Sequence, residues 1–294
     1  MLKKIMGLLC AIVVLYSCNN NQESTISTVQ SEPKSTTTEE RTPVTDTIPT
    51  ITYTLLISKD SIKKYLKTAD TNNLKIIAGI NRADVKFLKR FDTIVVPSNL
   101  NLQTKNYFPF PYDAPFLIQV NKIIYFSYPT QSFAAYENGK LIYTGPTSMG
   151  RKADLTPSGL YYTNWKAEET TSTFNDEWEL KWNFNIENKL GVGFHQYEMP
   201  GYPASHSCLR LIEKDAKLLY EWADQWTIKG TDNILAHGTP VVVFGAYPFG
   251  NSRPWFSLGG NQNALDISVE ELKSTTEQFL PGIMQKQAQR DSIK

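Results

Sequence analysis

From residue 116 to 244 the chain is written in short runs of aromatic and β-branched residues cut by turn residues, and this pattern limits the fold more than any other feature. Runs at 122–126, 133–136 and 140–143 are too short for buried helices and have strand composition. Asn138-Gly139 between the last two predicts a tight hairpin, because both residues tolerate positive φ. Thr156-Pro157-Ser158-Gly159 reads as a turn feeding a strand, aromatic strands continue over 178–184, and 191–195 leads into the histidine and cysteine region. The best helical period lies at 215–226, where Ala216, Leu219, Tyr220 and Ala223 recur on one face. Val241-Val242-Val243-Phe244 closes the region as a buried strand. The expected fold is mostly β, not a doubly wound sheet.

The flanks read differently. Residues 1–18 have the form of a secretory signal: Lys3 and Lys4, an apolar run at 5–15, and the small Ser17 before Cys18. The apolar run is about half the ~20 residues that span a bilayer, so no permanent membrane helix is expected. Residues 19–50, rich in Ser, Thr, Glu, Gln and Asn, bury too little to offset their ordering entropy and are expected to be a disordered linker. Residues 51–98 read as a small α+β unit. It has a strand at 51–57, a helix at 61–67 capped by Asp60, a helix at 74–79, and a strand at Asp92-Thr93-Ile94-Val95-Val96-Pro97 stopped by proline. Residues 247–294 form an extension that is loop-like past Gly250, with a helix opening at Ser268, where Glu271 completes a capping box.

A formal net charge of +1 leaves no electrostatic footprint for nucleic acid. Neither a metal-ligand cluster nor a phosphate-cradling glycine loop is legible, so no cofactor is expected. The chemistry concentrates instead on cysteine. Of the three cysteines, Cys10 lies in the apolar run and Cys18 stands at the expected cleavage point, which leaves Cys208 as the free thiol. A thiol nucleophile needs a base, because only a few per cent of it ionises near neutral pH, and N–H donors for the oxyanion that forms. The chain has three histidines, and two of them, His195 and His206, shortly precede Cys208. Spacing alone leaves open which one is the base. On an extended segment His206 and Cys208 would share a face. His237, just before a strand, reads as structural. Trp165, Trp178 and Trp182 read as core residues, with a substrate groove as the alternative, and pairing with Glu213 is the bland reading of Arg210.

The order His195, then Ser205-His206-Ser207-Cys208-Leu209-Arg210, resembles the L,D-transpeptidase catalytic domain, also called the YkuD domain. The resemblance extends over Tyr136-Glu137-Asn138-Gly139-Lys140, Ser148-Met149-Gly150 with Thr156-Pro157-Ser158-Gly159, Asp215-Ala216 with Leu219-Tyr220, and Gly238-Thr239-Pro240-Val241. It implies a β-sandwich with one or two helices over 116–246 and acyl transfer on peptidoglycan stem peptides. Cys208 is then the nucleophile and His195 its base. His206 with the Ser207 and Cys208 N–H groups shapes the oxyanion site, Arg210 binds a substrate carboxylate, and Ser205 bonds within the loop. Ser207 stands where that family keeps glycine, and Gln196 follows His195 where many members have glycine. An L,D-carboxypeptidase or amidase of the same fold, or a non-catalytic wall-binding protein, is the alternative. A cysteine peptidase of the NlpC/P60 kind ranks low, because its cysteine precedes its histidine. Leu15-Tyr16-Ser17-Cys18 resembles a lipobox. It implies acylation of Cys18 and, with Asn19 next, tethering to the outer membrane on the periplasmic side. Residues 51–98 resemble the LysM module through Ile80-Asn81 and Asp92-Thr93-Ile94-Val95-Val96-Pro97, which implies contact with glycan strands.

Overall fold

The computed structural model describes residues 50–172, 178–231 and 233–293. The signal sequence, Cys10, Cys18 and the linker expectation at 19–49 lie outside the described residues.

Strand β1 (Tyr53–Ile57) is followed by α1 (Lys59–Leu66), α2 (Thr71–Ile80), α3 (Val85–Leu88) and β2 (Thr93–Pro97), and β1 and β2 pair antiparallel. Helix α1 starts earlier than its expected cap. Ser58 holds the position and accepts from the Ser61 N–H, which moves Asp60 into the first turn, where a carboxylate favours the positive end of the helix dipole. Asp70 likewise caps α2 and extends it past the expected 74–79. Asn81 ends α2 as a clamp: its amide donates to Ile77 O and Val95 O and accepts from Val95 N, each at 2.8 Å. Of the residues that carry the sugar-module resemblance, Ile80, Asn81, Ile94 and Val95 are fully buried, whereas Asp92 is exposed.

Next come β3 (Lys122–Ser127), β4 (Ser132–Glu137), β5 (Lys140–Pro146), β6 (Gly159–Tyr162), β7 (Lys166–Thr171), β8 (Glu179–Glu187), β9 (Val192–Gln196) and β10 (Leu209–Leu211). They are followed by α4 (Glu213–Trp222), β11 (Thr227–Lys229), β12 (Asn233–Ala236), β13 (Pro240–Phe244), α5 (Val269–Thr276) and α6 (Leu280–Asp291). One sheet has the order β5-β4-β3-β13-β6 and the other β10-β9-β8-β7. The pairs β13–β3 and β10–β9 are parallel, and the expected hairpin turns at Asn138-Gly139, both at positive φ.

Along β3 successive side chains face opposite sides. Ile124 and Phe126 enter the core between the sheets, where they meet Phe184, Phe194, Leu209 and Leu211, with Ala216 and Leu219 of α4. Ile123 and Tyr125 join an outer core with Leu272 of α5 and Ile283 of α6. Both faces of β3 are buried, which is why its sequence is almost continuously apolar. A further core joins segments far apart in the chain: Trp255 and Leu258 pack with Ile51, Ile80 and Val95. The stretch past Gly250 that reads as loop thus packs through a 3-10 turn at Pro254–Gly259.

Helix α4 stops short of the expected residue 226 for a visible reason. Lys122 Nζ donates to Trp222 O at 2.8 Å, and Asp224 is drawn away by Thr239, bonded N–H to Oγ1 at 2.9 Å and carbonyl to N–H at 3.1 Å.

Candidate functional site

Parallel pairing of β9 and β10 sets His195 opposite Arg210, and His195, Cys208, His206, Ser205 and Arg210 line one cleft with Trp178, Leu180 and Tyr197. Two segments brace the turn that carries Cys208. Ser148 and Arg210 exchange backbone hydrogen bonds at 3.1 Å, Ser205 N–H donates to Met149 O, and Arg151 N–H donates to Ser205 O. Gly150 sits in the crook of this brace, where a Cβ would run into the Asp154 carbonyl and the Thr156 amide. Thr156, fully enclosed, accepts from Gly150 N–H at 3.0 Å and donates to Ser207 O at 2.8 Å. The Ser148–Gly150 and Thr156 segments matched on sequence are therefore the scaffold of the turn.

The turn is bent rather than extended, which corrects the expectation that His206 and Cys208 share the face of a strand. Ser207 has φ 73°, in the left-handed region. A non-glycine residue there costs roughly 1 kcal/mol or more, and this is a physical reason for glycine at the position. We expect Ser207→Gly to raise stability by about 0.5 kcal/mol, net of the entropy glycine adds to the unfolded chain, or roughly 1–2 °C in Tm. Calorimetry checks this, and a lower Tm would mean that the serine side chain contributes more than its strain removes. The bend also leaves the Ser207 and Cys208 N–H groups without an acceptor among the described residues. Ser205, buried, donates through Oγ to Cys208 O at 2.5 Å and fixes the chain just past the bend.

His195 is 4 % exposed, and its Nδ1 lies 3.0 Å from Gln196 O. A carbonyl only accepts, so Nδ1 carries the proton and Nε2 keeps a lone pair. Burial pushes its pKa down to about 4, with Arg210 adding to the effect and the Gln196 bond opposing it. Burial pushes the Cys208 thiol up, while the Gly193 N–H and Arg210 pull it back. Its Sγ also lies 3.6 Å from Gly191 O. Both shifts favour the neutral forms, so the resting pair is thiol and imidazole rather than thiolate and imidazolium.

His206 stacks on Trp178 with ring centroids 4.9 Å apart, and its Nε2 stands 3.7 Å from Asp154 Oδ2, too long for a hydrogen bond. Its Nδ1 is buried without a partner among the described residues. Arg210 lies over the Tyr197 ring at 4.5 Å and donates to Glu198 O at 3.2 Å, so its partners are these rather than Glu213.

Trp178 belongs to the cleft. Trp182 packs on Tyr220 of α4, and Trp165 lies at the join of β6 and β7. His237 sits apart, against Tyr162 and with its carbonyl bound by Arg290. Sequence reasoning missed Asp154, Tyr197 and the Gly191 and Gly193 backbone. Only their nearness in the chain to the Thr-Pro turn and to His195 signals them. Among the described residues no group of His, Cys, Asp or Glu is placed to hold a metal ion.

A family model described as the L,D-transpeptidase catalytic domain (YkuD) matches residues 121–243. Among solved structures, an L,D-transpeptidase from Stackebrandtia nassauensis shares 25 % identity with a TM-score of 0.36, the match covering 44 % of this chain and 57 % of that one. One from Mycobacterium tuberculosis H37Rv shares 20 % identity at a TM-score of 0.34, over 42 % and 58 %. One from Mycobacterium smegmatis shares 17 % at 0.34, over 42 % and 59 %. The chain thus spans less than two thirds of each, and superpositions at these TM-scores carry no weight beside the family match. No curated protein sequence matches the chain.

Proposed function

Since residues 121–243 are an L,D-transpeptidase catalytic domain, we propose that the protein transfers peptidoglycan stem peptides through a thioester on Cys208. One observation carries the reading: among the described residues the free thiol of Cys208 and a buried histidine whose Nε2 keeps its lone pair line one cleft with an arginine and two backbone N–H groups that meet no acceptor there. Cys208 Sγ attacks the carbonyl carbon of the amide between the third residue of the stem, a diamino acid, and a terminal D-alanine. As the S–C bond forms, His195 Nε2 takes the thiol proton. The Ser207 and Cys208 N–H groups meet the oxyanion, with His206 beside them. The C–N bond then breaks, and the imidazolium returns the proton to the departing amine. An amine on a second stem attacks the thioester, and the thiol is restored. Arg210 binds a carboxylate of the donor through its planar fork.

Burial disfavours both charged forms, which supports transfer of the thiol proton to His195 in the course of the attack. The same reading places the protein in the periplasm, tethered to the outer membrane through acylated Cys18, with glycan strands as neighbours of residues 51–98. Incubation of the purified protein with tetrapeptide muropeptides, read by mass spectrometry, should give free D-alanine together with cross-linked dimers. D-alanine without dimers would make water the acceptor and the protein a carboxypeptidase, and neither product would sink the enzymatic reading.

A further inference from the structure

The loop from Tyr197 to Ala204, which joins the proposed base to the proposed nucleophile, is held by the N-terminal unit. Asp84 N–H donates to Met199 O at 2.8 Å, and Met199 N–H donates back to Asp84 Oδ2 at 3.1 Å. Ala83 bridges Pro200, Lys86 pairs with Glu198, and the Phe91 ring presses on Gly201 so closely that a Cβ there would stand 2.6 Å away. The holder is itself rigid. Asn81 is locked to Val95 and Ile77, and the buried Arg82 donates from Nε to Thr130 O at 2.8 Å and from Nη1 to Ile80 O at 2.5 Å. Asp84 occupies the cap position of α3, yet its side chain makes no cap bond and is spent on Met199 instead. On the other side of the loop, Glu198 O accepts from Arg210 Nη1, and the ring of Tyr197 lies under the same guanidinium.

We propose that Asp84 is a positioning residue for Arg210: by fixing Met199 it sets the neighbouring Glu198 carbonyl and Tyr197 ring, and through them the angle at which the guanidinium meets the donor carboxylate. Residues 51–98 then serve the active site as a brace, whatever else they bind. The inference rests on the reading of Arg210 as the carboxylate binder.

The test uses the full-length protein and a tetrapeptide donor with a free terminal carboxylate. Asp84→Ala should raise KM by about fivefold or more with kcat held within about twofold, the signature of lost uniform binding. The rate at which iodoacetamide alkylates Cys208 should stay within about twofold of wild type, since the thiol is untouched. Asp84→Asn, whose amide oxygen still accepts from Met199 N–H, should restore KM to within about twofold. In an Arg210→Ala background Asp84→Ala should raise KM no further, because the effect runs through that side chain. If Asp84→Ala fails to fold, Asp84→Ser keeps a helix-capping residue while removing the carboxylate that meets the Met199 N–H, and the same comparisons decide. An unchanged KM in Asp84→Ala, or an equal rise in the Arg210→Ala background, overturns the inference while leaving the functional reading intact. Absence of turnover in the wild type overturns both.

Discussion

Cys208→Ala should abolish product formation and the mass-shifted adduct that a carbapenem leaves on the wild type, a loss of at least ~10³-fold. The fold should survive, because the change removes one sulfur from a half-buried position, and stability should stay within about 1 kcal/mol of wild type. An adduct that persists in Cys208→Ala would place the acylated group elsewhere and end the proposal. His195→Ala tests the neutral-pair chemistry more finely. With burial raising the thiol and lowering the imidazole, little thiolate preexists at neutral pH, so loss of the base should cost about 10²–10⁴-fold in acylation. Alkylation of the wild-type thiol by iodoacetamide should then climb only at alkaline pH. Fast alkylation near pH 6 would reveal a preformed ion pair and contradict the burial argument.

How much of this was legible in the sequence follows from the range of the interactions. The proposed nucleophile, base and arginine stand close in the chain, and the aromatic strands announce themselves by period and turn chemistry. The fold was therefore readable, and so was the nearness of Cys208, His195 and Arg210 in one cleft. What the side chains do to one another was not. Ser207 could be marked as an unusual substitution, but its positive φ and the bond from Thr156 to its carbonyl belong to a bend braced by a distant segment, a pairing with no local signature. The contact of Asp154 with His206 and the stacking of Trp178 likewise join distant segments. The end of α4 was misjudged because the apolar period runs on through Ala223, while Thr239 captures Asp224 from across the chain. Trp255 offers the same lesson. A tryptophan in a stretch with loop composition is fully buried, because Ile51, Ile80 and Val95 wait for it at the other end of the chain.

Acid should separate two buried groups that hide each other in the wild type. His195 is held neutral, its pKa pushed down to about 4, so below the ordinary histidine range the unfolded chain binds a proton that the folded one refuses. Its contribution is therefore full at neutral pH and is lost as pH falls from about 6.5 toward 4. Asp215 runs the other way. Burial lifts its carboxyl to about 7, against the lowering effect of the Tyr143 hydroxyl, bonded at 2.7 Å, and of Lys214. In the same window the folded state holds a proton that the unfolded state has released, so its contribution is lost as pH rises from about 4 toward 7. Each group alone gives a slope of about 1.4 kcal/mol per pH unit, on the order of 3 kcal/mol across the window, with opposite signs. In urea titrations at stepped pH these two slopes should oppose each other in the wild type, beside the contributions of Asp84, Asp266 and His237, whose pKa values burial also shifts. Asp215→Asn, whose amide oxygen still accepts from Tyr143, unmasks the histidine, and its stability should fall steeply with acid. His195→Gln unmasks the aspartate, and its stability should increase as pH drops. Parallel curves for the two variants would mean that at least one of these groups is solvated in the folded protein, whereas slopes of opposite sign fix both protonation states, including the neutral imidazole on which the proposed attack by Cys208 depends.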